Sequence, residues 1–138
     1  MNERVVVVNA GKMNYDHLLD FSVLSNDVQV YDDSTNAELI ERIQGATVVV
    51  TKEIPVGPEL LSQFPESVKL IVEAGTGYNN IDLDAARAKG ITVCNIPAYS
   101  TERVAHTAIM MLLNFASTMQ QQIGMLARGD RSNFTKHL

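Results

Sequence analysis

Two glycines flanking a threonine mark the stretch of this sequence best suited to binding chemistry. They lie in Glu73-Ala74-Gly75-Thr76-Gly77-Tyr78-Asn79-Asn80-Ile81-Asp82, between an apolar run and a helical pattern. Glycine on either side of Thr76 allows successive backbone N–H groups to converge, and such a concavity holds a carboxylate without a cationic side chain. The same spacing also suits a tight turn in which glycine supplies a positive φ. Spacing alone does not choose between the two. A dinucleotide pyrophosphate is a poor match, because Asn80 stands where a third glycine belongs and no acidic residue follows about twenty positions later.

Other reactive residue types attract plainer readings. Cys94 lies in an apolar run between Val93 and Asn95 and is expected to be a small buried residue, not a reactive thiol. A single cysteine cannot close an internal disulfide, and no Cys/His cluster has the spacing of a zinc site. Met110, Met111, Met119 and Met125 read as core and interface filler. His17 and Asp32-Asp33 read as solvated surface groups.

The elements that must carry the glycine loop alternate between short β-branched runs and helical patterns. Val5–Val8, Val28–Tyr31, Ala46–Val50, Val68–Val72 and Ile91–Asn95 are expected to be strands. Continuous apolar runs of this kind are buried on both faces, as in a parallel sheet with crossover helices, so the fold class is doubly wound α/β. Leu39, Ile40 and Ile43 mark one helix, Asp82 can cap a helix over Leu83–Lys89, and Gly45 and Gly90 can close theirs. From Thr101 to about Ala127 no proline intervenes, which predicts one helix about 40 Å long, capped by Ser100 or Thr101. Its first half is apolar on more than one face, so it needs cover on several sides. After Gly129 the chain turns polar and reads as an interrupted linker.

Composition narrows the function classes. At 138 residues and 46% hydrophobic the chain is long enough for one compact domain and too short for two. A net charge of -5 offers no basic stripe for nucleic acid. Met1-Asn2-Glu3-Arg4 does not begin a signal peptide, and no apolar run has the length of a membrane span. A cytoplasmic location and a small soluble ligand are therefore expected.

The glycine loop gains weight from the residues on its C-terminal side. Gly75-Thr76-Gly77-Tyr78-Asn79-Asn80-Ile81-Asp82, Ala85-Ala86, Lys89-Gly90-Ile91, Val93, Asn95-Ile96-Pro97, Tyr99-Ser100 and Thr101-Glu102-Arg103-Val104-Ala105 occur in one order. Together they resemble the D-isomer specific 2-hydroxyacid dehydrogenases, nearest the glycerate dehydrogenase (hydroxypyruvate reductase) branch. The similarity is dense from Lys69 to Leu113 and looser before it. The resemblance implies the substrate-binding (catalytic) domain of an NAD(P)-dependent enzyme that interconverts a 2-hydroxy acid and a 2-keto acid by hydride transfer. It implies that the backbone amides of Thr76 and Gly77 hold the substrate carboxylate and that Tyr99 or Ser100 borders the substrate. Lys52, closing the third strand, is a further polar group near the cleft, and Val104 would lie against the nicotinamide. His106 falls one position before the family's usual histidine, where Thr107 stands.

The domain organisation implied is a flavodoxin-like five-stranded parallel sheet in the order 2-1-3-4-5 over residues 1–100, a long interdomain and dimerisation helix over 101–127, and a truncated linker over 128–138. The family's acid/base histidine, its orienting carboxylate, its arginine and its pyrophosphate loop would all lie beyond this segment. No residue here is therefore assigned a catalytic role, and neither cofactor nor metal is expected on this segment alone. A homodimer built on the helix from Thr101 onward is expected, because part of its apolar surface must find cover.

Three rival classes compete with this reading. A phosphorylated receiver domain needs acidic residues after the first strand and an aspartate ending the third, where this chain has Asn9-Ala10-Gly11 and Thr51-Lys52-Glu53. A flavodoxin-type electron carrier needs a hydroxyl-rich phosphate loop after the first strand, which Asn9-Ala10-Gly11-Lys12 does not supply. A stand-alone module that binds small carboxylates without redox chemistry is the alternative that keeps the glycine loop.

Overall fold

A computed structural model describes residues 3–135 of the chain. Contacts divide it into two compact units, one ending at Pro97 and the other beginning at Ala98.

The first unit is built on strands β1 (Arg4–Val7), β2 (Asp27–Val30), β3 (Val48–Thr51), β4 (Leu70–Glu73) and β5 (Thr92–Cys94). They form one sheet in the order β2-β1-β3-β4-β5, the order anticipated from the sequence, and every neighbouring pair is parallel. Side chains alternate across a strand. Val6, Val8, Val49 and Ile71 therefore face one side, and α1 (Asn36–Arg42), α2 (Pro58–Ser62) and α3 (Leu83–Ala88) cover it with Leu39, Leu60, Leu61 and Ala86. Val5, Val7 and Val50 face the other side, where the segment between β1 and β2 supplies Ala10, Met13 and Phe21. That segment has two 3-10 turns, Ala10–Lys12 and Phe21–Leu24, in place of an α-helix.

Helix ends follow the capping chemistry of the sequence. Asp82 accepts a hydrogen bond from Ala85 N–H at 2.8 Å, and Gly90 takes φ +69 after α3. Thr35 and Glu38 form a reciprocal capping box at the start of α1. The Thr35 N–H and hydroxyl hold the Glu38 carboxyl below its ordinary range. Lys89 closes α2, its ammonium donating to the carbonyls of Leu61, Ser62 and Phe64 at 2.9, 2.9 and 2.7 Å.

In the second unit the single helix expected over 101–127 is corrected to two, α4 (Thr101–Ala116) and α5 (Met119–Ala127), followed by a 3-10 turn at Ser132–Phe134. Hydroxyl side chains compete with the helical ladder for backbone partners. Ser117 Oγ donates to Leu113 O at 2.7 Å, and Thr118 takes φ 51 in the left-handed region, where an α-helix cannot continue. Gln122 then bonds back across the break, through Nε2 to Ser117 O at 3.0 Å. Ser100 is the N-cap of α4 by position, but its side chain accepts no capping bond. No residue of α4 is buried, and Phe115 is 84% exposed.

Two stability measurements test this packing. Leu61 is fully buried against the sheet, so Leu61→Ala is expected to lower unfolding free energy by about 2–5 kcal/mol in urea titration. The Glu38 carboxyl is held below its unfolded value, so its contribution is present above the ordinary glutamate pKa and is lost as pH falls through the lowered one. The difference in melting temperature between the wild type and Glu38→Gln should accordingly shrink toward zero on acidification.

Candidate functional site

The carboxyl ends of β1, β3 and β4 lie side by side in the sheet, the edge at which open α/β sheets receive ligands. Asn9, Thr51 and Glu73 sit at those three ends, and they are the buried polar residues among the described part of the chain. Buried polar groups need partners. Asn9 supplies two to the backbone of Lys52, its Oδ1 accepting from Lys52 N–H at 2.9 Å and its Nδ2 donating to Lys52 O. The Glu73 carboxylate accepts from Glu53 N–H at 3.0 and 3.3 Å and from Asn80 Nδ2 at 2.9 Å. Asn80 Nδ2 also donates to Ile54 O at 2.8 Å.

The glycine loop follows β4. Three of its carbonyls are engaged: Gly75 O accepts from Ile96 N–H at 2.9 Å, Thr76 O from Asn95 Nδ2 at 2.8 Å, and Tyr78 O from Ile81 N–H at 3.1 Å. The Thr76 hydroxyl donates to Ile96 O at 3.2 Å. In contrast, the backbone N–H groups of Thr76, Gly77 and Tyr78 donate to no acceptor among the described residues. Three adjacent free amides, with the carbonyls of Gly75, Thr76 and Tyr78 held elsewhere, offer donors of the kind that suits an anion.

Of the two sequence readings of this loop, the tight turn with glycine in positive φ is not the one realised. Positive φ is found at Gly45, Gly90 and Gly129, and not at Gly75 or Gly77. Space at Gly75 is tight, since a Cβ there would stand 3.3 Å from Glu73 Oε1.

Lys52 reaches the start of this loop, its Nζ donating to Ala74 O at 3.3 Å. The first unit thus brings Lys52, Thr76 and Gly77 to one edge. Tyr99, Ser100 and Val104 belong to the second unit, Tyr99 and Ser100 preceding α4 and Val104 in its first turn, with Val104 64% exposed. His106 lies on α4 and is exposed, and His137 lies outside the described residues. Among the described residues no group of His, Cys, Asp and Glu could hold a metal, and no helix is long and apolar enough to cross a membrane.

Cys94 departs from expectation: it is exposed, not buried. It ends β5, the edge strand, and it stands in register with Val72 on the side of the sheet that no α-helix of the first unit covers. Asn9 and Glu73 were missed by sequence reasoning. The signal was a single polar residue closing each of three apolar runs, Val5–Val8, Val48–Val50 and Leu70–Val72.

The described residues do not by themselves fit a dinucleotide. The loop leads into a helix of six residues whose N-terminal amide is already taken by the Asp82 carboxylate, which puts negative charge where a pyrophosphate would have to sit.

Comparison with known proteins shows the family. The family described as D-isomer specific 2-hydroxyacid dehydrogenase, catalytic domain, matches residues 5–130. A glycerate dehydrogenase of Methylorubrum extorquens is 33% identical over 96 residues, which is 70% of this chain and 30% of that protein. A hydroxypyruvate reductase of Blautia hydrogenotrophica is 40% identical over 76 residues, 55% of this chain and 23% of that protein. The chain therefore spans about a third or less of the length of these relatives. In fold it is similar to the D-lactate dehydrogenase of Aquifex aeolicus, solved with NAD and lactic acid, at a TM-score of 0.77 and 24% identity over 94% of this chain and 38% of that one. It is likewise similar to a D-2-hydroxyisocaproate dehydrogenase, at a TM-score of 0.79 and 17% identity over 98% of this chain and 42% of that one.

The free amides make a direct test possible. Titration with glycolate, followed by 15N–1H NMR, should move the amide resonances of Thr76, Gly77 and Tyr78 first. In Lys52→Met the same resonances should move at about tenfold higher glycolate, the loss of one charge-assisted contact.

Proposed function

Since the chain belongs to the D-isomer specific 2-hydroxyacid dehydrogenase family, we propose that it is the substrate-binding part of an NAD(P)-dependent enzyme that interconverts a small 2-hydroxy acid and its 2-keto acid. The observation that carries this reading is the loop of unpaired amides at Thr76, Gly77 and Tyr78, with Lys52 at its start. The reaction moves a hydride between a nicotinamide and C2 of the substrate. For that transfer the carboxylate next to C2 must be held still, because a small displacement of the reacting carbon costs rate steeply. In this reading Thr76 and Gly77 donate to the carboxylate, Lys52 adds positive charge, and Tyr99 or Ser100 borders the bound acid. Val104 is assigned to the nicotinamide face. The chemistry of proton and hydride transfer is assigned to groups outside these residues, which makes the 138-residue chain inactive by itself.

The second unit supports an association role. Ile109, Met110, Leu112, Leu113 and Phe115 are more than half exposed on α4, and together they exceed the scattered apolar surface of a soluble monomer. We assign this surface to a homodimer built on the helices from Thr101 onward. Sedimentation at high micromolar concentration should give a dimer, and a monomer would overturn the assignment.

Activity is tested by NADH oxidation with hydroxypyruvate or glyoxylate, for this chain and for the chain joined to a nicotinamide-binding domain. Turnover is expected only from the joined protein. Turnover by the 138-residue chain would remove the division of labour proposed here, and inertness of the joined protein toward every 2-keto acid would leave a carboxylate-binding module without redox chemistry.

A further inference from the structure

The corner that carries Lys52 is held far more firmly than a surface loop requires. Glu53 takes φ 59, a left-handed conformation that a residue with a side chain adopts at a cost. Such a residue persists where its surroundings over-determine it. Here Asn9 pairs with both the N–H and the carbonyl of Lys52, and the Glu73 carboxylate accepts the N–H of Glu53 at 3.0 Å. The same carboxylate accepts Asn80 Nδ2 at 2.9 Å, and Asn80 belongs to the segment that closes the glycine loop. One buried side chain therefore ties the Lys52 corner to the Gly75–Gly77 loop.

A buried carboxylate is an unexpected choice at this place. Glu73 is 1% exposed and ends a strand that is otherwise apolar, where an aliphatic residue would satisfy the core without desolvating a charge. It also lies beside the loop of free amides, and a neighbouring negative charge by itself opposes anion binding. Its presence is explained if its oxygens are needed as acceptors that fix two loops at once.

Resting on the carboxylate-binding reading above, we propose that Asn9, Glu73 and Asn80 are positioning residues that lock the Lys52–Glu53 corner and the Gly75–Gly77 loop into a single preorganised receptor for the substrate carboxylate. Preorganisation lowers the ordering cost of binding, and supporting residues of this kind typically change affinity by about 10–100-fold when removed. Glu73 acts through geometry and not through its field. The two roles predict opposite signs for Glu73→Gln. Loss of an opposing charge would tighten anion binding. A glutamine, however, must turn its amide hydrogens toward either Glu53 N–H or Asn80 Nδ2, both donors, so loss of the lock weakens it.

The test is glycolate titration of the 138-residue chain, read from the Thr76, Gly77 and Tyr78 amides. Glu73→Gln and Asn80→Ala are each expected to weaken binding about tenfold, while Ile71→Val, a core change on the same strand, leaves it unaltered although the fold is less stable. Should Glu73→Gln fail to fold, Asn80→Ala decides, since it keeps the bond between Glu73 and Glu53. Wild-type affinity or tighter binding in a folded variant overturns the network alone. A wild-type chain whose three amides ignore glycolate overturns the receptor, and the network with it.

Discussion

Polar groups that end a buried strand must find hydrogen-bond partners within the protein, and the carboxyl edge of β1, β3 and β4 is organised around that requirement. Asn9 and Glu73 meet it by pairing with the backbone of the next loop instead of with each other or with solvent. The partners they choose are those of Lys52 and Glu53, so satisfying the core simultaneously shapes the corner. Gly75 fits the same arrangement, because an added Cβ there would crowd the Glu73 carboxylate at 3.3 Å. Thr51 is the exception in the row, buried with its hydroxyl unpaired among the described residues.

The two sides of the sheet are unequal. Three α-helices pack on the side of Val6, Val49 and Ile71, while the other side receives only short 3-10 turns from the first unit. This asymmetry explains why β5 is thinly covered and why Cys94 emerges. In the second unit the apolar residues of α4 gain no burial from their own hairpin with α5, in which Met125 alone is buried.

Much of the first unit was legible because its signals are local. β-Branched runs announced the strands within a residue or two of their bounds, and Asp82, Gly45 and Gly90 punctuated them as their chemistry requires. The glycine loop was legible as a candidate anion site because backbone convergence depends on residue type. Its support was not, because the pairing of Asn9 with Lys52 and of Glu73 with Glu53 joins residues 43 and 20 positions apart. The break at Ser117–Thr118 was missed for another reason. Serine and threonine are only mildly unfavourable in a helix, and their preference for local backbone bonds is decided by context. Burial of Cys94 was inferred from its apolar neighbours, although the order 2-1-3-4-5 expected from the sequence already places the fifth strand at an edge.

A receptor made of main-chain N–H groups has an evolutionary consequence. The donors at Thr76, Gly77 and Tyr78 belong to every amino acid except proline, so point mutation leaves them in place so long as the loop keeps its path. Drift in this loop is restricted by the tight space at position 75 and by the bonds that hold its path, among them those of the Thr76, Asn80 and Asn95 side chains. On the proposed reading, recognition of a carboxylate can thus be inherited unchanged while the residues that contact the rest of the ligand diversify.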